Sequence, residues 1–577
     1  MNRRDMATMS SRSIRPAPPE GSGESYRFNW NSPIVVSPHN PARIYFGGNR
    51  LFISDDRGDH WRRTEDLTRQ IDRNELEIMG VVNSRIRLSR NDGISTYGNI
   101  TTISESPHTA GVVWIGTDDG NLQVSRDDGT TWNNVTDQVP DLPPNTYVTR
   151  IEASRFAVGR AYVTFDGHRN DDFHVYVFVT EDFGRRWSLL SGGIPQGSNA
   201  NVIREHHRNP NLLFLGTERG AWWSYNRGGT WNLIEGDFPR VPVDDIYIHP
   251  ERNDLIIGTH ARGAWIMDDI GVLEGMSEEV FRDPLTLFPI RPTWQFTRSG
   301  NLQDQGDFVF VAPNPPYGAI INYFLPQELP EGDEVSIVIT DAAGDFVFRT
   351  PGTRQQGTNR VLWRFQHSIE TSQAPTAPGM PLTFAASAAE AVPGTYTVTV
   401  NVGGETRSQT VEVRLDPRLA GRVNLADMIA LRDVQLRIAQ ESARLDGPGQ
   451  RLQAVSSQVQ QLRLFLQDRI VSAEAQDALN AFSQEIRDLT ERYFAGGGSR
   501  SASNSVRARL AGINRELRGV TGTIPTDITS RIDELDAEIR AATSAVDQLL
   551  SSGVSELNRI LGDSGIPFIH SGGIPPM

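Results

Sequence analysis

The chain has 577 residues, 71 acidic against 56 basic, and a formal charge of −15. That is too long for one hydrophobic core and too acidic for a general binder of nucleic acid or anionic membranes. It contains no lysine and no cysteine, which excludes Schiff-base and P-loop lysines, disulfides, thiolate nucleophiles and thiolate metal sites.

Residues 1–27 are basic at the start but have no apolar run of signal-peptide length, and they read as a disordered or truncated lead-in. No stretch approaches the roughly 20 apolar residues of a membrane span. From residue 28 one pattern, S/T-x-D/N-x-G-x-x-W, occurs four times. Its members are Ser54, Asp56, Gly58 and Trp61; Ser125, Asp127, Gly129 and Trp132; Thr180, Asp182, Gly184 and Trp187; and Ser224, Asn226, Gly228 and Trp231. Each copy sits in the same order of short alternating strands, so the spacing predicts repeated four-stranded units. A fifth unit, residues 243–269, keeps three strands and ends in "WIMDD". Together these units predict about five blades of a β-propeller over 28–270.

A connector over 271–306 leads to alternating strands with turn glycines over 307–418, the pattern of a small β-sandwich. The Ala/Pro-rich stretch 373–394 inside it reads as a loop. From Leu419 the apolar period becomes helical, as in Val455, Val459, Leu462 and Leu466, or Leu535, Ile539, Val546 and Leu550. Breaks at 446–449, 496–504 and 521–527 predict a bundle or hairpin of helices over 419–563, with a flexible tail over 564–577.

The repeated motif has a structural reading at every position. The acid accepts backbone hydrogen bonds, the glycine supplies a turn conformation and the tryptophan packs between units. Asn226 keeps the acceptor and removes the carboxylate, so the motif needs no acid–base chemistry. Repeated elements build scaffold, whereas an active site is built once.

This motif is the Asp-box, and the chain resembles the Asp-box (BNR-repeat) propellers of sialidases, xyloglucan-active glycosidases and sortilin-type receptors. The order "YRFNWNSPIVVSPHNPARIYFGGNRLFISDDRGDHW", "DLTRQIDRNELEIMGV", "LSRNDGISTYGNITTISESP" and "IIGTHARGAWIMDD", then "VRLDPR" and a helical tail, is similar to large bacterial proteins of the sortilin-type or glycosyl-hydrolase kind. The resemblance implies a mainly β fold: propeller blades, an immunoglobulin-like β-sandwich and a C-terminal α-helical region. It also implies that the chain is the C-terminal half of a longer protein with further blades and a secretion signal, placed outside the cell or in the periplasm.

In such propellers the Asp-box turns lie away from the active face. Consecutive strands alternate in direction, so the turns between second and third strands, and the connections between units, belong to the opposite face. Those turns hold Asp118 and Asp119; His168; Glu218 and Arg219; and His260 and Arg262. The long connection from Thr64 to Gly98 adds Arg90, Asp92 and Tyr97. Loops on a rigid scaffold are where recognition is usually placed.

The expected function is therefore binding of a peptide, protein or glycan through Arg90, Asp92, Tyr97, His168, Arg219, Trp222, His260, Arg262 and Trp265. The alternative is a glycoside hydrolase using Asp118, Asp119 and Glu218, which needs two carboxyls roughly 5 Å or 6.5–9.5 Å apart. Sialidases of this fold use an arginine cluster and a tyrosine–glutamate pair; Arg150, Arg204 and Tyr97 are available, and their spacing does not select them. A third reading is assembly, with missing blades supplied by another chain or by self-association. Asp166, His168, Asp172 and His174 match no metal-loop spacing, so no metal and no cofactor are expected.

Overall fold

The computed structural model describes residues 1–78, 80–88, 90, 96–296, 315–370, 388–467, 469–496, 504–518, 520 and 522–571. The chain divides into two compact units, Met1–Glu278 and Glu279–Met577.

The first unit is a succession of small antiparallel sheets. The first comprises Ile34–Val36, Ile44–Gly47, Leu51–Ser54 and Arg62–Arg63, and the second Ile100–Glu105, Val113–Thr117, Leu122–Ser125 and Asn133–Asn134. The third comprises Tyr147–Ala153, Ala161–Asp166, Tyr176–Thr180 and Ser188–Leu189, and the fourth Ala200–Glu205, Leu213–Thr217, Gly220–Ser224 and Asn232–Leu233. The fifth has three strands, Val243–Ile248, Leu255–Thr259 and Ala264–Met267. Within each sheet the strands pair in chain order, so each first strand occupies one edge. We call it the inner strand, because the inner strands of successive sheets are neighbours.

Both faces of these sheets are apolar, as stacking in series requires. One cluster joins Tyr45, Leu51 and Ile53 of the first sheet to Ile100, Ile103, Val113 and Ile115 of the second. A second joins Trp114 and Val124 to Ile151, Val163 and Phe178, and two more continue the series to the fifth sheet. Residues 1–27, expected as a disordered or truncated lead-in, carry a hairpin pairing Asn2–Arg4 with Ser11–Ser13. Tyr26 and Phe28 lie against Phe52 and Phe46, covering part of the first sheet's free face.

All four repeated turns have one hydrogen-bond pattern. In the second copy Ser125 Oγ donates to Asp127 Oδ1 (2.9 Å) and accepts from the Gly129 amide (2.8 Å), while the Thr131 amide donates to Asp127 Oδ1 (2.8 Å). Asn226 Oδ1 takes the same two bonds in the fourth copy, from Ser224 Oγ and the Thr230 amide. Asp128 and Gly129 both have positive φ, 61° and 78°. The left-handed glycine closes the turn. Two of the tryptophans lean on the preceding sheet: Trp187 meets Trp114 edge-on at 6.1 Å, and Trp231 is buried in the cluster between the third and fourth sheets.

In the second unit a three-stranded sheet and a five-stranded sheet share one core around Trp363, Tyr323, Ile337 and Val398. Thr286–Leu287 and Thr293–Gln295, which the sequence places in a connector, are strands of these two sheets. Most of the 373–394 loop lies outside the described residues. Helices Leu425–Arg444, Asp446–Leu466, Ala473–Leu489, Val506–Glu516, Asp527–Gln548 and Val554–Asp563 follow and bury two apolar clusters. The break at 446–449 is a helix junction, with Asp446 opening the next helix. No described helix is long and apolar enough to cross a membrane.

Candidate functional site

A cavity of about 350 Å³ opens at the end of the sheets opposite the repeated turns. Arg73, Leu76, Glu77 and Tyr97 come from the long connection after the first sheet, and Asp118 from the turn between the second sheet's middle strands. Pro144, Asn145 and Tyr147 come from the connection to the third sheet, and Asp166, Arg169 and Asn170 from that sheet's middle turn. Connections and middle turns converge here because antiparallel order returns both to the same end of a sheet.

The local folds are set by short polar devices. Asp72 accepts from the Asn74 amide at 2.9 Å and starts the single turn Arg73–Glu75. Asp166 accepts from the His168 amide at 2.9 Å and from the His168 ring, which raises the histidine's pKa above its usual value. Asp171 closes that turn in the left-handed conformation.

The charges are distributed unevenly. The Arg73 guanidinium lies 5.8 Å from the centre of the Tyr97 ring. Its pKa is lowered, first by burial and then by the nearby positive charge of Arg169. Arg73 and Arg169 share the lining with the carboxyls of Glu77, Asp118 and Asp166. Burial pushes Tyr147 up to about 12 and raises Tyr97 as well, so both phenols remain protonated at neutral pH.

Asp118 lines the cavity, yet its carboxylate is fully engaged. Oδ1 accepts from the Gly98 and Asn99 amides (2.9 and 2.7 Å), and Oδ2 from the side chains of Asn29 and Asn99 (3.1 and 3.2 Å). Burial raises its pKa against those hydrogen bonds. Asp119 is fully buried and absent from the lining; it accepts from the Arg69 amide at 2.7 Å and from Thr117 Oγ1.

Glu218, on the fourth sheet, is exposed and bonds Asn201 at 3.1 Å. The expected set Asp118, Asp119 and Glu218 is thus not gathered around the cavity. Two of its members anchor backbone and the third belongs to another turn.

Of the expected ligand-binding residues, Tyr97 lines the cavity and His168 is exposed beside it, bonded to Asp166. Arg90 is exposed and held by Asn74, and Asp92 lies outside the described residues. Arg219 is exposed on the fourth sheet, while His260 and Arg262 are exposed on the fifth, with His260 facing Asp244 at 3.4 Å. The two tryptophans expected as stacking surfaces are engaged between sheets. Trp222 packs against the cluster between the third and fourth sheets, and Trp265 meets Phe238 edge-on within the next cluster. Period-two alternation turns Trp222 and Trp223 to opposite faces, and in this stack both faces are covered.

Arg150 and Arg204 are bound to Asp245 at 3.0 and 2.8 Å, and Arg204 also to Glu152 at 3.0 Å, away from the cavity. Asp172 pairs with His174 at 2.6 Å, separately from Asp166 and His168. Among the described residues no cluster of three metal-ligating side chains forms.

The cavity brings in Arg73, Glu77, Tyr147 and Arg169, which sequence reasoning did not single out. Arg73 and Glu77 lie in the long connection, and Arg169 in the extended turn "FDGHRNDD"; unusual loop length was the available signal.

Burial pushes Asp119 up to about 6. Its folded value exceeds its unfolded one, so the folded state holds the extra proton, and its contribution to stability falls as pH rises from about 4 to about 6. Asp119→Asn is expected to remove that dependence, on the order of 3 kcal/mol at full strength. Urea unfolding of both proteins at pH 4.5 and pH 7.5 checks this: the variant should gain relative stability at the higher pH.

No protein-family model matches the chain, and no curated protein matches it. Among solved structures it is similar to an ancestral GH74 enzyme at 13% identity and TM-score 0.31, covering 67% of this chain and 46% of that one. It is similar to a GH74 enzyme of Niastella koreensis at 12% and 0.24, covering 63% and 57%. A third structure, the extracellular domain of a hybrid two-component system from B. thetaiotaomicron, gives 12% and 0.31, covering 73% and 48%. The chain spans about half the length of these structures. Likeness of this degree assigns no activity to it.

Proposed function

We propose that the five sheets are blades of an Asp-box β-propeller and that the chain is an exported binding protein. Its ligand is a peptide, protein or glycan bearing an anionic group, held in the cavity on the end opposite the Asp-boxes. The region after the blades is an immunoglobulin-like sandwich and a helical part that serve docking or assembly.

The observation that carries this reading is that Arg73 and Arg169 line one cavity together with two protonated tyrosines. Guanidinium pairs suit carboxylate and phosphate geometry, and the rings offer apolar contact with a hydroxyl handle. The cavity is of the size that small ligand groups fill.

The test is a panel of acidic peptides and of uronic-acid and neutral oligosaccharides, probed with the full chain and with Arg73→Gln/Arg169→Gln. Each charge-assisted bond is worth about 1.5–3 kcal/mol, so the double variant should lose at least about 100-fold in affinity for any acidic ligand. Equal binding by both proteins rejects the reading.

The hydrolase reading draws on a separate observation: Glu77, Asp118 and Asp166 line the same cavity. Turnover of any glycan, abolished by Glu77→Gln at an exposed position, would favour it.

A further inference from the structure

The turn that follows each inner strand is closed by one residue in all five sheets. Its amide donates across the turn, from Ser37 to the Arg43 carbonyl, Ser106 to Val112, Ser154 to Arg160, His206 to Leu212 and His249 to Asp254, at 2.8–3.0 Å. Its side chain turns back and accepts from amides two or three residues further on, a local cap of the kind short polar side chains make.

In the first three sheets the acceptor is a serine hydroxyl. Ser37 Oγ accepts from the His39 amide at 3.2 Å, Ser106 Oγ from the His108 and Thr109 amides at 3.3 Å each, and Ser154 Oγ from the Phe156 amide at 3.1 Å. In the fourth and fifth sheets the acceptor is an imidazole nitrogen. His206 Nδ1 accepts from the Arg208 and Asn209 amides, both at 3.2 Å, and His249 Nδ1 from the Glu251 and Arg252 amides, at 3.2 and 3.1 Å. A hydroxyl accepts at any pH, whereas Nδ1 accepts only while the ring is neutral.

His206 is fully buried. Because its Nδ1 is the acceptor, Nε2 carries the proton and donates to Asn253 Oδ1 at 2.9 Å. Asn253 belongs to the fifth sheet's turn and donates to Glu274 Oε2 at 2.8 Å. Glu274, in the helix Gly271–Gly275, takes both of its oxygens to Arg208 (2.8 and 2.7 Å), and its carbonyl accepts from the Asn209 side chain at 2.7 Å. One imidazole therefore stands where two turns and a helix are joined.

A second ring proton would set an N–H against two amide N–H groups and place a cation in the interior. Glu274 Oε2, 4.0 Å from Nε2, favours that cation and Arg208 opposes it; burial outweighs both and holds His206 below its usual value. His207, stacked on His206 at 4.5 Å with Arg155 and Arg208 near it, is pushed down to about 4 and adds no charge above that. His39, in the first serine turn, has no such liability: its Nε2 donates to the Ser106 carbonyl at 2.8 Å and keeps that bond when protonated.

We propose that the fourth and fifth turns and the helix Gly271–Gly275 form an acid-sensitive latch, in which proton uptake at His206 Nδ1 opens this part of the first unit while the three serine turns stay closed. The latch is independent of any ligand in the cavity. The closed state favours the neutral ring, so its stabilisation is complete above the ordinary histidine value of about 6.5 and is lost as pH falls below it. In that window opening should rise about tenfold per pH unit.

Hydrogen–deuterium exchange of the full chain at pH 7.5, 6.5 and 5.5, corrected for intrinsic exchange rates, tests it. Residues 206–212, 249–254 and 271–275 should open about tenfold more at pH 5.5 than at pH 6.5, with residues 37–43, 106–112 and 154–160 unchanged. His206→Asn keeps a carbonyl acceptor that does not titrate, and should abolish the acid response at 206–212 while leaving its protection at pH 7.5. Exchange of the His206 ring C–H, followed by mass spectrometry in the wild type, reads the titration directly and stays decisive should the variant fold poorly; its midpoint should lie below that of the unfolded chain. Equal acid opening of all five turns, no acid opening, a response that survives His206→Asn, or a midpoint at or above the unfolded value overturns the proposal.

Discussion

Trp114→Ala is expected to destabilise the first unit by about 3–5 kcal/mol, the range for removing a fully buried aromatic from a core. Trp114 is 0% exposed and stands between the second and third sheets, edge-on to Trp187. Its neighbours Val124, Ile151 and Val163 are held by strand pairing on both sides, so the void cannot collapse without parting a ladder. Trp114→Phe should recover more than half of the loss. Chemical unfolding followed by tryptophan fluorescence and by far-ultraviolet circular dichroism measures both. A loss below 1 kcal/mol would mean that the sheets are not rigidly stacked.

The second large effect is at Asp118. Asp118→Ala removes the acceptor of four donors, the Gly98 and Asn99 amides and the side chains of Asn29 and Asn99. Each donor left buried without a partner costs about 1–3 kcal/mol, reduced where water enters. The expected loss is about 3 kcal/mol. The functional effect should exceed the global one, because the segment freed at Gly98 carries Tyr97 into the cavity. Ligand affinity should therefore fall with little change in the residual binding's salt dependence, whereas Arg73→Gln should reduce that dependence. Isothermal titration at two salt concentrations separates these outcomes.

The four repeated turns were legible because their chemistry is local. A hydroxyl, an acceptor and a glycine within five residues determine the turn, and Asn226 showed that no charge is needed. The end of the sheets carrying the cavity was also expected, because the resemblance set it opposite the repeated turns and strand alternation placed the middle turns and connections there. The lining was not. Arg73, Tyr147 and Arg169 meet only because three loops of different length fold over adjacent sheets, and loop conformation has no period to read.

Asp118 and Asp119 illustrate the same limit. As neighbouring acids in a turn they read as candidate catalytic groups, and only packing reveals that both are buried acceptors. The tryptophans at 222 and 265 show a related limit. Alternation says which face a ring occupies but not whether another sheet lies over it.

The central claim is that recognition takes place at the end opposite the repeated turns. Hydrogen–deuterium exchange of the full chain, free and saturated with the tightest ligand from the acidic peptide and oligosaccharide panel, tests it most directly. Protection is expected at residues 73–77, 97–99, 144–147 and 166–170, with none at the repeated turns 55–60, 126–131 and 181–186. Protection at those turns, with the cavity segments unchanged, would contradict it.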